Sequence, residues 1–499
     1  MKRSFGLVVL LVVLPASACG SLPQRPAAGC AGPAHPHAAA GNMAGVPAFT
    51  HPTSYRITHS SGDPWSAGRA VAMGDLNGDG AQDLVAVNPG NGSAALSVLL
   101  NRGNGTFDER HDYGTEKGPN AVALADLDCD GTKDLVTANS DARSVSVLLN
   151  RGDGRFKRQH AYRASAMPWA VAVADLDGDE YPDLAVANLT ESGSVSVLLN
   201  EGDGSFGAPA KYPTKGGFPM DLSAFDDNGD GHSDLAVANS EGNLVYLLQN
   251  KGDGRFEPGS QYESGTSDAA LAAGDLNGDG KQDLALVWTD TSDEIQEEGV
   301  TLEPSYVKTL MGQGDGSFTR PRLVYENGGY AALAIAPTVA DLDGNGHLDV
   351  VVPRDDQDSA IVSLFPNDGT GRLRDQARVD YLLGEQQATE TIAVGDLNGD
   401  GVADLVNANF GQATLSVYLG ERGRCIVQDV SGTTLDVFDL TPAAAARALA
   451  RGGCRVGTIS HAHSKYGRYG ITKGRVFAQR PAFGAVLPAG SKVDLVVDG

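Results

Sequence analysis

"GDLNGDG" occupies residues 74–80, and the same seven letters return at 274–280 and 395–401, with four looser copies elsewhere. The starting aspartates are Asp75, Asp126, Asp175, Asp226, Asp275, Asp341 and Asp396, at steps of 51, 49, 51, 49, 66 and 55 residues. A fixed period near 50 residues marks a repeat architecture. Each period reads alike. An apolar run such as "AVAMG" leads into the aspartate loop, a second such as "LVAVN" leaves it, a third ends in a form of "VSVLLN", and after a G-D-G type turn a fourth begins at Phe. Runs this short and this rich in β-branched residues read as strands. Four strands per period is one propeller blade, so the spacing predicts a mainly β, seven-bladed ring.

D-x-N-x-D-G also opens an EF-hand loop, which requires a bidentate Glu at its twelfth position. Those positions hold Ala86, Thr137, Val186, Val237, Leu286, Val352 and Asn407. What recurs instead is an Asp at the ninth position, so the loop joins two strands rather than two helices. The fourth run carries Phe and, six residues later, Tyr: Phe107 and Tyr113, Phe156 and Tyr162, Phe206 and Tyr212, Phe256 and Tyr262. The same pair stands ahead of the first aspartate loop, at Phe49 and Tyr55, while the seventh unit runs out after its third strand at 413–419. The segment around 47–60 is therefore expected to supply the seventh blade's outer strand and close the ring, which removes exposed sheet edges.

The chain has 499 residues, 64 of them Gly, is 41% hydrophobic and carries a formal net charge of -25. That charge repels nucleic acid and anionic lipid, so neither is an expected partner. After "MKRS", the run "FGLVVLLVVLPASA" is too short for a membrane span and has the layout of a secretory signal over 1–18, so export is expected. Ala16-Ser17-Ala18 suits ordinary cleavage, whereas Cys19 at the cut resembles a bacterial lipobox with Ala16 where Leu is usual. Both readings stay open, and a lipid on Cys19 is the one expected route to a membrane. Residues 19–46, rich in Ala, Gly, Pro and His, read as a flexible tether, with His35 and His37 a surface pair. Of five cysteines, Cys425 and Cys454 bracket one C-terminal unit and are the natural disulfide. Cys129 reads as a small buried residue, and Cys30 pairs with Cys19 or is left over.

Residues 47–424 resemble the FG-GAP or VCBS repeats of integrin α-type seven-bladed propellers, through D-x-[DN]-x-[DN]-G-x-x-D repeated in register. The resemblance implies calcium, about one ion per blade, held in the first hairpin. Carried over, the first loop's ligands are Asp75, Asn77, Asp79 and Asp83, with the backbone carbonyl of Ala81. The same offsets give Asp126, Asp128, Asp130 and Asp134; Asp175, Asp177, Asp179 and Asp183; Asp226, Asn228, Asp230 and Asp234; Asp275, Asn277, Asp279 and Asp283; Asp341, Asp343, Asn345 and Asp349; and Asp396, Asn398, Asp400 and Asp404. Glu180, in place of a turn Gly, and Asn345 depart from the pattern. The chemistry agrees, because calcium takes six to eight oxygen ligands. The 28 positions hold 23 carboxylates, which repel one another unless a cation lies among them. Much of the acidity is thereby accounted for.

From Cys425 the period stops. "LTPAAAARALARGG" has Thr441 as N-cap and Pro442 at the first helical position, and strand-like "CRVGTIS" and "KVDLVVDG" follow with "RPAFGAVLPAGS" as a loop. Residues 425–499 resemble a PASTA domain, notably through "RVFAQRPAFGAVLPAGSKVDLVV", which implies a small α+β unit and contact with peptidoglycan. His461 and His463 read as exposed. Arg151-Gly152-Asp153 lies in the turn that elsewhere reads Glu201-Gly202-Asp203 or Lys251-Gly252-Asp253, so it is a turn consensus rather than an adhesion tripeptide. Opposite the aspartate loops the repeat varies. Arg69, Asn120, Trp169, Met220, Ala269, Ile335 and Glu390 stand six before each starting Asp, and Trp288 and Arg354 break a series of Asn88, Asn139, Asn188, Asn239 and Asn409. Trp288 precedes the acidic insertion "DTSDEIQEEG". Trp169, Trp288 and Arg354 are the candidate ligand residues, on the expectation of exposed aromatics for a glycan or protein, although Trp169 also reads as blade packing. No nucleophile elbow, zincin motif or phosphate loop is present in the sequence. An exported surface or wall binding module is expected, with a carbohydrate-active enzyme as the alternative.

Overall fold

The computed structural model describes residues 47–49, 52–57, 70–88, 95–263, 269–289, 295–297, 300–302, 305–327, 336–356, 359–373, 378–385, 388–410, 414–422, 424–426, 442–443, 445, 449, 455–462, 476–480, 486–488 and 491–498. The readings for residues 1–46, Arg69, Ile335, Cys454 and His463 lie outside them, as do the side chains of Ala269, Arg354, Glu390, Cys425 and His461.

Seven four-stranded antiparallel sheets follow one another along the chain. Blade 1 comprises Ala70–Gly74, Asp83–Val87, Leu96–Leu99 and His111–Tyr113. Blade 2 comprises Pro119–Ala125, Asp134–Asn139, Ser144–Leu148 and His160–Arg163, and blade 3 Pro168–Ala174, Asp183–Asn188, Ser194–Leu198 and Ala210–Pro213. Blade 4 runs Pro219–Phe225, Asp234–Asn239, Leu244–Asn250 and Phe256–Glu263. Blade 5 runs Ala269–Gly274, Asp283–Thr289, Ser305–Leu310 and Arg322–Asn327, and its acidic insertion forms a separate hairpin, Ile295–Glu297 with Val300–Leu302. Blade 6 comprises Thr338–Ala340, Asp349–Asp356, Ser359–Phe365 and Val379–Glu385.

Blade 7 takes Ala388–Gly395, Asp404–Phe410 and Thr414–Tyr418 from the end of the propeller sequence, and its outer strand Thr53–Arg56 from the beginning. Thr53 pairs with Val417 and Arg56 with Thr414, and just outside them Ala48–Phe49 pairs with Gly420–Glu421. Each inner strand touches the next, the seventh touching the first. The ring is closed as the sequence predicts.

Small residues make the convergence of inner strands feasible. Ala70 and Ala72, Ala121 and Ala123, Ala170 and Ala172, and Ala270 and Ala272 are all buried, so neighbouring blades approach closely near the axis. The apolar core lies in the seams between blades. The Phe–Tyr signature, read as a mark of each outer strand, spans those seams. The Tyr of one blade meets an aromatic of the next at Tyr55–Phe107, Tyr113–Phe156, Tyr162–Phe206, Tyr212–Phe256, Tyr262–Phe318, Tyr325–Phe365 and Tyr381–Phe49, with ring centroids 4.7 to 5.8 Å apart. Such pairs each add about 1 kcal/mol beyond area burial. The expectation that the fourth strand begins at this Phe is corrected in four blades. Phe107, Phe156, Phe206 and Phe318 form only isolated bridges, because the chain leaves the sheet there to turn the ring into the seam. Among the described residues, blade 4 has a fourth strand continuous from its Phe, Phe256–Glu263.

In the C-terminal unit, Arg455–Ala462 runs parallel to Lys492–Asp498, and Val476–Arg480 lies antiparallel on its other side. The stretch read as a loop contains a strand, Val486–Pro488, paired with Arg424–Ile426. Helical backbone is described at Pro442, Ala443, Ala445 and Leu449, and Ala445 and Leu449, one turn apart, are fully buried.

Candidate metal centres and the opposite mouth

Each aspartate loop is wound around its first carboxylate. In the first loop Asp75 Oδ1 accepts the amide of Gly78 at 2.7 Å and Oδ2 that of Gly80 at 2.9 Å, while Asp79 Oδ1 accepts Ala81 N at 2.8 Å. Gly80 achieves this at φ 86°, and Gly131, Gly231, Gly280, Gly346 and Gly401 stand between φ 75° and 89° at the same position. Glu180 holds that conformation at φ 70°, and its amide still reaches Asp175 Oδ2 at 3.0 Å. The third loop thus keeps the shared geometry and bears the strain. Cys129, at φ 52°, strains the second loop similarly at the preceding Gly position. It is half-buried rather than buried, and disulfide-bonded to a cysteine whose side chain lies outside those described.

The ninth-position aspartate carries the loop into the sheet. Asp83 is fully buried, with Oδ2 accepting Leu76 N at 2.9 Å and Oδ1 accepting Asn101 N, at the end of the third strand, at 2.6 Å. The same two contacts recur at Asp134, Asp183, Asp234, Asp283, Asp349 and Asp404. Burial, with neighbouring loop carboxylates adding to it, pushes Asp83, Asp283 and Asp404 up to about 6 and Asp134, Asp183 and Asp349 up to about 7. Carboxylates so placed gain from a cation.

In three loops the first, third and ninth carboxylates converge. Asp126, Asp128 and Asp134; Asp175, Asp177 and Asp183; and Asp341, Asp343 and Asp349 each bring ligand oxygens within 4.8 Å of one another. These are the loops with Asp at the third position; the other four have Asn77, Asn228, Asn277 and Asn398 there. The fifth-position residues Asp79, Asp130, Asp179, Asp230, Asp279, Asn345 and Asp400 lie outside these triads and accept the amide two residues on, as Asn345 does from His347. An oxygen-only donor set of this size fits a hard divalent cation.

The loops also meet the neighbouring blade. Asn150, at the end of blade 2's third strand, donates to Leu76 O in the first loop at 2.8 Å, and Asn101, Asn200, Asn250 and Asn367 repeat the clamp on Leu397 O, Leu127 O, Leu176 O and Leu276 O. Gly312 and Gly420 stand at this position in blades 5 and 7 and have no side chain to clamp with. The fourth loop differs again. Asp227 replaces the Leu of the other six loops, and Gln249 replaces an apolar residue of the third strand. Gln249 Nε2 donates to both Asp227 oxygens at 2.9 Å, and its Oε1 accepts Asn228 Nδ2 at 3.1 Å. Burial, and the hydrogen bond that the protonated Asp234 carboxyl gives to the Asp227 carboxylate, push Asp234 up to about 8. Sequence reasoning passed over Asp227 and Gln249 because they are polar residues beside a polar motif.

At the opposite end, position six before the starting Asp is a β-bulge in blades 2, 3, 4 and 7, a device that re-aims a side chain. The described members turn inward. Asn120, Trp169 and Met220 are 2%, 6% and 0% exposed, and Trp169 and Met220 share one apolar cluster with Ala270 and Ala336. Trp169 Nε1 has no hydrogen-bond partner. Trp288 is 3% exposed, stacked on Tyr306 at 4.9 Å with Lys308 Nζ 3.9 Å from its ring centre. The expectation of exposed aromatics is therefore corrected: both indoles are packed. The asparagines of the second-strand ends are structural, as Asn139 and Asn188 show by donating to Ser146 and Ser196 across the blade.

Known proteins bear on this geometry. The FG-GAP-like repeat profile matches residues 75–137, 126–186, 175–237, 226–286 and 341–406, segments that contain all seven aspartate loops. The chain belongs to the FG-GAP repeat family. A PASTA domain profile matches residues 432–499. No curated protein matches the chain. Among solved structures, this FG-GAP protein is similar to an Agrocybe aegerita lectin described as recognising non-reducing terminal N-acetylglucosamine, at 20% identity over 64% of this chain and 81% of that one, with a TM-score of 0.44. It is also similar to the Photorhabdus luminescens Tc holotoxin pore, at 18% identity over 64% of this chain and 16% of that one, with a TM-score of 0.35.

Proposed function

We propose that this chain is an exported binding module of the cell surface or cell wall, in which calcium rigidifies a propeller that displays a ligand site and the PASTA domain holds peptidoglycan. The observation that carries the reading is the joining of a closed FG-GAP ring to a PASTA domain in one chain. Calcium is supported by the converging Asp triads. In each loop the residues at positions one, three, five and nine, with the position-seven carbonyl, would hold the ion, and the ion would supply charge neutralisation. The ligand, a glycan or a protein, is assigned to the mouth opposite the loops, with Trp169, Trp288 and Arg354 contributing. A buried indole donor without an acceptor supports that placement. An acyl chain on Cys19 would tether the module to a membrane.

Two experiments on the calcium-loaded full chain test this reading. The protein should pellet with purified peptidoglycan, and an array of glycans and surface proteins should return a ligand whose retention needs an intact ring. A chain that stays in the supernatant beside a known wall binder, and that retains nothing on the array, removes the proposal.

A further inference from the structure

The seam between blades 4 and 5 is built differently from the others. Five residues before the starting Asp, five blades carry Ala (Ala70, Ala121, Ala170, Ala270 and Ala336) and blade 7 carries Thr391, whereas blade 4 carries Asp221. Asp221 is fully buried in the inner strand Pro219–Phe225. Its Oδ1 accepts the amide of Leu222 at 2.8 Å, and its Oδ2 crosses the seam to the amide of Leu271, in the inner strand of blade 5, at 3.0 Å. Two residues on, and so on the same strand face, Ser223 replaces the Ala123 and Ala172 of blades 2 and 3. It is 2% exposed and its Oγ has no hydrogen-bond partner. Farther out, the usual apolar contact is replaced by Asp227 and Gln249, and Gly312 lacks the asparagine clamp that five other blades use.

We propose that this junction is a pH-operated seam, closed while Asp221 holds its proton and opening to water once the carboxyl ionises. Two amide donors offset only part of the cost of burying a carboxylate, and a cation or solvent must offset the rest. Four strands pack against the Asp221 strand: the inner and second strands of blade 3, the second strand of blade 4 and the inner strand of blade 5. Their only ionisable residues are Asp183 and Asp234, at the aspartate-loop ends, and neither perturbs Asp221. Water reaches the carboxyl by parting blades 4 and 5, where it also finds Ser223 Oγ. Burial pushes Asp221 up to about 8 despite its two amide donors. A carboxyl raised in the closed ring favours closure at low pH. That preference is lost progressively as pH rises from the ordinary carboxylate range toward about 8.

The test is amide hydrogen exchange on the calcium-saturated full chain, corrected for the intrinsic rise of exchange with pH. Protection of the peptide spanning Ala269–Gly274 should fall about tenfold per pH unit from pH 6 to about 8 and then level off, while Pro168–Ala174, at the blade 2 to 3 seam, shows no such slope. D221A, which installs the residue of five other blades, should flatten the profile. Should D221A fail to fold, D221N keeps the side-chain shape, cannot ionise and should be flat as well. An equal slope at both seams, no slope in the native chain, or an unchanged slope in the variant would overturn the proposal.

Discussion

The asparagine clamp makes a quantitative prediction. Asn150 is fully buried and makes four hydrogen bonds, donating to Leu76 O at 2.8 Å and Lys133 O at 2.9 Å and accepting Arg151 N at 2.8 Å and Gly152 N at 3.0 Å. Asn150→Ala removes all four. At roughly 0.5 to 1.5 kcal/mol net per bond, discounted because the two turn amides can turn to water, the loss is about 3 kcal/mol. For a cooperative unit of nearly 400 residues that corresponds to a fall in Tm of about 4 °C. Asn150→Asp should cost more, because a carboxylate then faces two carbonyl oxygens. Calorimetry at fixed calcium measures both, and N101A and N200A should match N150A since they break equivalent clamps. A melt for N150A within about 1 °C of the native chain would refute the view that these side chains lock one blade to the next.

Chelation of calcium should lower Tm by several degrees per site lost, since an ion bound only by the folded ring contributes about 2.7 kcal/mol at a hundred times its Kd. Calcium should restore the melt and magnesium should do so poorly, while an unchanged melt with no metal by elemental analysis would remove calcium from the account. Trp288→Ala should destabilise by about 3 to 5 kcal/mol, read in chemical denaturation, because the indole is packed between Tyr306 and Lys308. Loss of ligand binding in that variant counts as evidence for a site only where folding survives.

The sequence disclosed the ring because its information is periodic. Seven aspartate loops in register fixed the blade count, and the orphan Phe49 and Tyr55 pair located the closing strand. The seams were less legible. The Phe–Tyr spacing looked like a property of one strand, whereas its partners stand in the adjacent blade, as Tyr212 with Gly254, 42 residues on, and Tyr262 with Phe318, 56 residues on, a relation no local window contains. Asp221 was hidden for a different reason. It sits one position beyond the varied ring that drew notice, and only a column-by-column comparison with the alanines of the other blades exposes it. Trp169 and Trp288 were half legible: rarity within a repeat singles them out, but that both indoles are packed rather than exposed shows only in three dimensions.

The closing blade also has a mechanical consequence. Thr53 pairs with Val417 and Ala48 with Glu421, so the beginning of the closing strand and the end of the propeller sequence lie at the same end of one antiparallel pair. Tension applied between residue 47 and residue 422 therefore falls on Ala48 and Glu421 first, then Phe49 and Gly420, then Thr53 and Val417, one pair after another. A strand pair loaded in this way peels, whereas one pulled from opposite ends must break all its bonds together. Such tension would strip off the closing strand first, at low force, and open the ring while the remaining three strands of its blade stay paired.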